Sequence, residues 1–477
     1  MKNEILLKII LIFFLTQYIS LAQPRFGNNI KTKIEVRVEK LANNYFQYKY
    51  KIRVDSSSSQ PLVAYTVEIG INNREDFNKI LTDSILIKNW GCSKITNLSE
   101  KPPNFKGAEV TWVPLDTLEL NSKNEIIVPN AIMPGYSIAL HLITQSLPII
   151  GRCWSLGLYE PYDESEIDTL LTQGYNESDL FKPWYSNALM GVTLCSYFPP
   201  SQFSAPAIFD TLISNIDKAH KLCWINKVEK KDIYLSTILK AKAAIEQSNN
   251  ALARYYLKSV LQDVDLDSTS VLTSEAYALI KYNTEYLLNK IPIADPITKD
   301  LFPSITTTKT KEFTLSINGN NFTPASVIYF NGHLKKTIFV SGSLLTTELT
   351  KKETLEAGSY KVYIMNDEGN ASGNLYLMIH KNLPEEVIPV LNCIEELGKD
   401  KYRAWFGYEN KNDGSVLLDQ ESENKFDPAP LDREQPKIFL KGQFAKIFFV
   451  DFEGNQKIIW KLVNGKAKAS KDSPRCK

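Results

Sequence analysis

The sequence predicts a multidomain, mainly β protein: β-sandwiches with one inserted antiparallel helical bundle. Three observations predict it. Residues 33–69 alternate apolar and polar with period two, residues 207–290 change to spacings of three and four, and alternation returns beyond residue 300 between turns rich in Gly and Asn. At 477 residues the chain is also longer than one hydrophobic core commonly serves. Hydrophobic residues make up 43% and charged residues 23%, which is ordinary globular usage and excludes a wholly disordered chain or a many-span membrane protein. Lys+Arg number 55 against Asp+Glu 54, so no excess charge draws the protein to nucleic acid or to an anionic membrane.

The N-terminus carries Lys2 and Lys8, an apolar run from Ile9 to Leu15, and Ser20-Leu21-Ala22 before Gln23. This order predicts a signal peptide over residues 1–22 and a secreted or cell-surface protein with no membrane span after cleavage. In such a protein six cysteines read first as disulfide partners. Cys393 and Cys476 bracket the last segment and are expected to bond. Cys92, Cys153, Cys195 and Cys223 allow three pairings, among which the sequence does not choose; Cys223, on an apolar helix face, also reads as a buried free thiol.

The elements follow in order. Residues 24–160 are expected to form a β-sandwich: Ile34, Val36 and Val38; Phe46, Tyr48, Tyr50, Ile52 and Val54; Val63, Tyr65, Val67 and Ile69 each point one face of a strand to a core. Further strands are expected near Val110–Val113, Glu125–Val128 and Ile138–Ile143. Residues 161–206 lose the pattern and collect Pro183, Pro199, Pro200 and Pro206, so they read as a loop-rich linker, packed on the sandwich through Trp184, Tyr185 and Tyr197. Residues 207–292 carry four amphipathic helices, the last beginning after Thr273 as N-cap with Glu275 in its first turn. Their order, Leu235-x-x-Ile238-Leu239-x-Ala241, Asn249-Asn250, Ala253-x-x-x-Leu257, resembles the small helical modules of the FIMAH type, which usually have glycine where this chain has Cys223 and Ser248.

Beyond residue 300 the run Phe313-Thr314-Leu315-Ser316-Ile317-Asn318-Gly319 is followed by Asn321-Phe322-Thr323-Pro324, Val327-Ile328-Tyr329-Phe330-Asn331-Gly332, Leu355-x-x-Gly358-x-Tyr360-x-Val362 and Asn366-x-x-Gly369. This succession closely resembles the IPT/TIG domain of secreted multi-module bacterial proteins, and the resemblance implies an immunoglobulin-like sandwich over residues 300–381. Gly319, Gly332 and Gly369 are expected at turns that need positive φ, and Val327, Tyr329, Val362 and Ile364 at a core. His333 and Asn366 are expected at exposed loop tips. Residues 385–477 hold Tyr402, Ala404, Phe406, Trp460-x-Leu462 and Ala467-x-Ala469, with a weaker alternation through Ile447, Phe449 and Asp451. They resemble a terminal β module recurrent in large secreted bacterial proteins.

Chemistry is sparse in this sequence. His141, His220, His333 and His380 are scattered over three segments, and neither H-E-x-x-H nor G-x-S-x-G occurs. Asp263, Asp265 and Asp267 alternate as oxygen ligands for Ca²⁺ would, but Ser268 and Ser274 stand where an EF-hand loop needs glycine and glutamate. The four N-x-[S/T] triplets at Asn97, Asn176, Asn321 and Asn370 read as coincidence, the last two as turn residues. Trp90, Trp112 and Trp460 sit in strand-like contexts and read as core. The expectation is therefore a non-catalytic binding or scaffold protein with no cofactor, meeting an extracellular protein or glycan. An extracellular glycan-active hydrolase, or its accessory subunit, is the alternative.

Overall fold

The computed structural model describes residues 29–81, 90–96, 107–115, 119–120, 126–158, 172, 188–368 and 370–477. The expected signal peptide, Asn97, Asn176, Trp184, Tyr185 and Gly369 lie outside these residues. The chain divides into two compact units, one of Met1–Lys242 with Tyr256–Ile291, the other of Ala243–Tyr255 with Pro292–Lys477.

In the first unit, strands β1 (Thr32–Lys40), β2 (Phe46–Val54) and β3 (Leu62–Gly70) are followed by the one-turn helix α1 (Arg74–Asn78). Strands β4 (Trp90–Thr96) and β5 (Gly107–Pro114), the two-residue pair β6 (Glu119–Leu120) and β7 (Ile126–Ile127), then β8 (Ser137–Thr144), β9 (Leu147–Gly157) and β10 (Leu189–Tyr197) complete it. A three-stranded sheet, β1-β2-β8, stacks on a five-stranded one, β10-β9-β3-β5-β4. The alternation read from the sequence places Tyr48, Tyr50 and Ile52 of one sheet against Tyr65, Val67 and Trp112 of the other, all buried. Rings of Tyr50 and Tyr65 lie 6.0 Å apart and those of Tyr50 and Trp112 5.7 Å, across the interface.

Strand β10 corrects the linker assigned to residues 161–206. Residues 189–197 pair along their whole length with β9 and, at Ser196 and Tyr197, parallel to β3. The sequence hid this because Met190 and Val192 are exposed, so the strand lacks the clean inward alternation of its neighbours.

Helices α2 (Ala205–Lys221), α3 (Val228–Glu246), α4 (Asn250–Asp267) and α5 (Ser274–Lys290) follow. Thr273 caps α5, its hydroxyl accepting from the Ala276 amide. Glu275 does more than sit in the first turn: its buried carboxylate accepts from the Val36 amide at 2.6 Å, on the edge strand β1. Tyr282 donates its hydroxyl to the Val38 carbonyl at 3.1 Å, and Asn283 its amide to the Pro148 carbonyl at 2.9 Å. Helix α5 therefore covers a sheet edge that would otherwise present unpaired backbone groups.

Cys223 is exposed, which corrects its reading as a buried thiol. Helix α2 ends at Lys221 with Leu222 as its C-cap, and Cys223, the residue after the cap, takes φ 58°. Its amide donates to the His220 carbonyl and that of Trp224 to the Ala219 carbonyl, a Schellman closure. Ser248 repeats the arrangement at the end of α3, with φ 57° and the amides of Ser248 and Asn249 donating to Ile245 and Ala244. Both are positions that favour glycine.

In the second unit, strands β11 (Ile297–Phe302), β12 (Ile305–Thr307), β13 (Phe313–Asn320), β14 (Val327–Phe330), β15 (His333–Leu334), β16 (Ile338–Ser341), β17 (Leu344–Leu349), β18 (Gly358–Met365) and β19 (Leu375–His380) build one sandwich. Its core is Leu315, Ile317, Phe322, Ile328, Phe330, Val362 and Ile364. The β14–β18 register sets Ile328 opposite Ile364 and Phe330 opposite Val362. Val327 and Tyr329, expected in the core, therefore face outward, one residue out of phase. Gly332 has φ +81°, as a turn requires, whereas Gly319 is needed for close approach: a Cβ there would stand 2.0 Å from the Ile297 carbonyl oxygen. Asn366 is not an exposed tip residue. It is buried, accepts from the Ser326 hydroxyl at 2.6 Å and donates to the Asn321 carbonyl at 2.9 Å.

Strands β20 (Val387–Gly398), β21 (Lys401–Asn410), β22 (Val416–Leu417), β23 (Asn424–Asp427), β24 (Ile438–Phe439), β25 (Gly442–Glu453), β26 (Ile458–Leu462) and β27 (Gly465–Ala469) form the terminal module. Phe406, Phe426 and Trp460 fill its core, and Cys393 is bonded to Cys476. The hairpin tip of α3 and α4 belongs to this second unit. Asn249 donates to the Gly342 carbonyl at 3.0 Å, and Arg254 pairs with Glu368 at 2.9 Å.

Candidate functional site

The two sandwiches of the second unit share a sheet, because β12 is paired on both sides. Seven strands run in the order β15-β14-β18-β19-β12-β22-β24, and Ile305 lies parallel both to Met378 of the first sandwich and to Val416 of the terminal module. The amides of Ser304 and Ile305 donate to the Ser415 carbonyl at 3.2 and 2.9 Å, and that of Met378 to Ser304 at 3.0 Å. Ile305 is part of the terminal module's core, and the buried Thr307 hydroxyl donates to Glu423 at 2.7 Å. A seam made of ladder hydrogen bonds and shared core does not hinge as a linker does.

Beside this seam lies a groove of about 420 Å³. Asp300, Phe302 and Ser304 come from β11 and the turn after it, Leu375 and Tyr376 from the start of β19, and Asp413, Gly414, Ser415, Leu440 and Lys441 from two loops of the terminal module. Tyr376 is 51% exposed and Phe302 half-buried. Asp300 accepts from the Asn318 amide at 2.7 Å, and Lys441 pairs with Asp413 at 3.1 Å. Gly414 lies close on the seam: a Cβ there would stand 2.1 Å from the Ser304 hydroxyl, so a larger residue would have to displace that side chain.

One buried side chain holds both loops. Asn410 donates to the Gly414 carbonyl at 3.0 Å and to the Phe439 carbonyl at 2.9 Å, while its own oxygen accepts from the Asn412 amide at 3.0 Å. The Tyr408 hydroxyl accepts from the Leu440 amide at 2.8 Å. Tyr408 and Asn410 stand in the sequence pattern of the terminal module, but their links to Leu440 and Phe439 span about thirty residues, so nothing local marks them as struts.

The other residues singled out in the sequence lie away from this groove. Cys153 and Cys195 are buried thiols and Cys223 an exposed one, so none of the three further pairings forms. Burial pushes the Cys153 thiol up to about 11. Asp265 accepts from Tyr277 and Lys281, and Asp267 from Tyr234 and Lys230, all on or beside the helices. One oxygen of each carboxylate is thus engaged by protein donors, and among the described residues no group of His, Cys, Asp and Glu is placed to hold a metal ion. Burial, with Lys49 beside it, pushes His141 below its ordinary value, and His220 pairs through Nδ1 with the Ile225 carbonyl.

Two carboxylates oppose each other in the N-terminal sandwich, Glu68 on β3 and Glu109 on β5. Burial and the neighbouring Glu68 push Glu109 up, against the opposing effect of Arg152. Glu68 is held by Arg152, whose side chain and backbone amide donate to its two oxygens at 2.6 and 3.0 Å.

Trp90, Trp112 and Trp460 are buried, as their strand contexts implied. An outward-facing aromatic pair of the terminal module is instead half-buried Trp405 with exposed Phe449, ring centres 5.1 Å apart, with Arg403 lying over Phe449. The signal was in the sequence: Trp405 falls between the inward Ala404 and Phe406, and Ile447, Phe449 and Asp451 are the outward phase of β25.

Comparison with known proteins fits the seam's first half. Residues 296–378 match the IPT/TIG domain family and form such a domain, the immunoglobulin-like sandwich described above. No curated protein matches the chain. Among solved structures, the gamma-CGTase of Alkalophilic bacillus clarkii is 11% identical over 38% of this chain and 27% of that one, with a TM-score of 0.16. SGBP-B of the Bacteroides ovatus mixed-linkage glucan utilization locus, solved with a mixed-linkage heptasaccharide, is 10% identical over 38% of this chain and 46% of that one, with a TM-score of 0.21. The chain thus spans less than half of either protein, and likenesses of this size carry no conclusion about activity.

Proposed function

We propose that this is an exported, non-catalytic binding protein that takes its ligand in the groove at the seam of the IPT/TIG domain and the terminal module. The observation that carries the reading is the construction of that groove. Its walls come from two modules, yet they are fixed to one another by a continuous sheet, by the Ser304–Ser415 contacts and by Asn410. A site fixed before the ligand arrives loses little ordering entropy on binding. Export is supported by the signal-like N-terminus and by the Cys393–Cys476 bond, which suits an oxidising compartment. The partner is an extracellular macromolecule met through side chains of the groove.

The test is direct. Purified residues 23–477 should bind a component of extracellular glycan or protein preparations, and Asp413→Trp, which places an indole at the groove mouth, should lower that affinity at least tenfold. The same sample should leave a panel of glycoside and ester substrates unhydrolysed. Turnover that disappears in Glu109→Gln would overturn this reading in favour of a hydrolase sited on the N-terminal sandwich.

A further inference from the structure

We propose that the occupant of the groove is a neutral glycan chain, an inference that rests on the groove being the binding site. A sugar ring offers an apolar face of C–H groups and a rim of hydroxyls that both donate and accept. The groove offers the counterpart of each. Tyr376, 51% exposed, and Phe302 supply aromatic surface, and aromatic side chains combine an apolar body with a wet edge. Asp300, held by Asn318, and the solvent-exposed Asp413, paired with Lys441, supply acceptors, and Ser415 adds a hydroxyl that already accepts from the Ser304 amide at 3.1 Å.

Charge selects among polymers. Two carboxylates and one ammonium line the groove, a local excess of one negative charge. At such distances, within a Debye length, an anionic polymer is repelled and a neutral one is not. Phosphate-bearing and uronate-bearing chains are therefore disfavoured, and a neutral polysaccharide satisfies the rings and the acceptors together.

The experiment is affinity electrophoresis and calorimetry of residues 23–477 with laminarin, soluble starch, arabinoxylan and galactomannan, with polygalacturonate as the anionic polymer and a lysine-rich peptide as the cationic ligand. At least one neutral polysaccharide is expected to retard the protein. Tyr376→Ala should weaken that binding at least tenfold, and Asp300→Asn about threefold, with unfolding midpoints unchanged because Tyr376 and Asp300 are solvent-facing. Retardation by polygalacturonate alone, or by no neutral polysaccharide, would overturn the glycan assignment. Peptide binding lost in Tyr376→Ala and Asp413→Trp would also overturn it while leaving the groove as the binding site. Neutral-polysaccharide binding unmoved by either substitution would remove the groove itself.

Discussion

The N-terminal sandwich and the terminal module solve the same packing problem with different side chains. The first builds its centre from Tyr48, Tyr50, Tyr65 and Trp112 with the thiols of Cys153 and Cys195 beside them. The second uses Phe406, Phe426, Phe448 and Trp460, with ring centres about 5 to 6 Å apart, and adds a covalent bond between Cys393 and Cys476. Tyrosine brings a hydroxyl into the core, and each needs a partner there. Tyr48 has one, the Ser146 carbonyl at 2.9 Å, whereas the Tyr50 hydroxyl is buried with none among the described residues. The tyrosine core is thus closed by polar atoms that are incompletely satisfied, and the phenylalanine core by an apolar cluster and a cross-link. The two regions are therefore vulnerable at different atoms, a hydroxyl without a partner in one and a cross-link in the other.

The largest expected effect is on the cross-link. Its residues are 83 positions apart, and the chain-entropy model assigns a loop of that length about 4 to 5 kcal/mol. Cys393→Ala/Cys476→Ala, or reduction, should therefore lower the urea midpoint of the terminal module sharply and leave the N-terminal transition where it was. An equal shift of both transitions would break the comparison. Asn410→Ala comes next. It removes the side-chain donor from the Gly414 and Phe439 carbonyls, at a cost of about 2 to 4 kcal/mol, and it should also lower ligand affinity because both groove segments lose their strut.

A matched pair sharpens the contrast inside the IPT/TIG domain. Asn366→Ala, at a buried strut, should cost about 1 to 3 kcal/mol in denaturant unfolding, while His333→Ala, in solvent, should stay within about 0.5 kcal/mol. In the tyrosine core, Tyr48→Phe should destabilise by about 1 kcal/mol. Tyr50→Phe should be neutral or stabilising by a similar amount, since it removes a polar atom that has no partner. Cys223→Gly and Ser248→Gly should act in the opposite direction, each relieving a left-handed backbone conformation and raising the melting temperature by the equivalent of about 1 kcal/mol. A fall in stability in either would show that the Cys223 or Ser248 side chain contributes more than the backbone strain removes.

What the sequence determined by itself was the local geometry. Period two and period 3.6 separate strands from helices because side chains project every second or every third to fourth residue to one side. The alternation from Val36 to Ile69, the N-cap at Thr273 and the IPT/TIG succession around Gly332 could all be read without any partner. Tertiary structure decided whatever depends on residues far apart in the chain. Strand β10 exists because β9 and β3 offer it hydrogen bonds, not because Leu189–Tyr197 announces itself. The phase of β14 follows from its register with β18, which put Ile328 and Phe330 inside and Tyr329 outside. The groove is the furthest from the sequence. Its residues lie between positions 300 and 441, and what brings Asp300, Tyr376 and Lys441 to one place is strand β12, whose Ile305–Thr307 pair with β19 while Ile305 pairs also with Val416 of β22. A local pattern can state that such a strand forms; which two modules it joins is settled only by the free energy of pairing both edges at once.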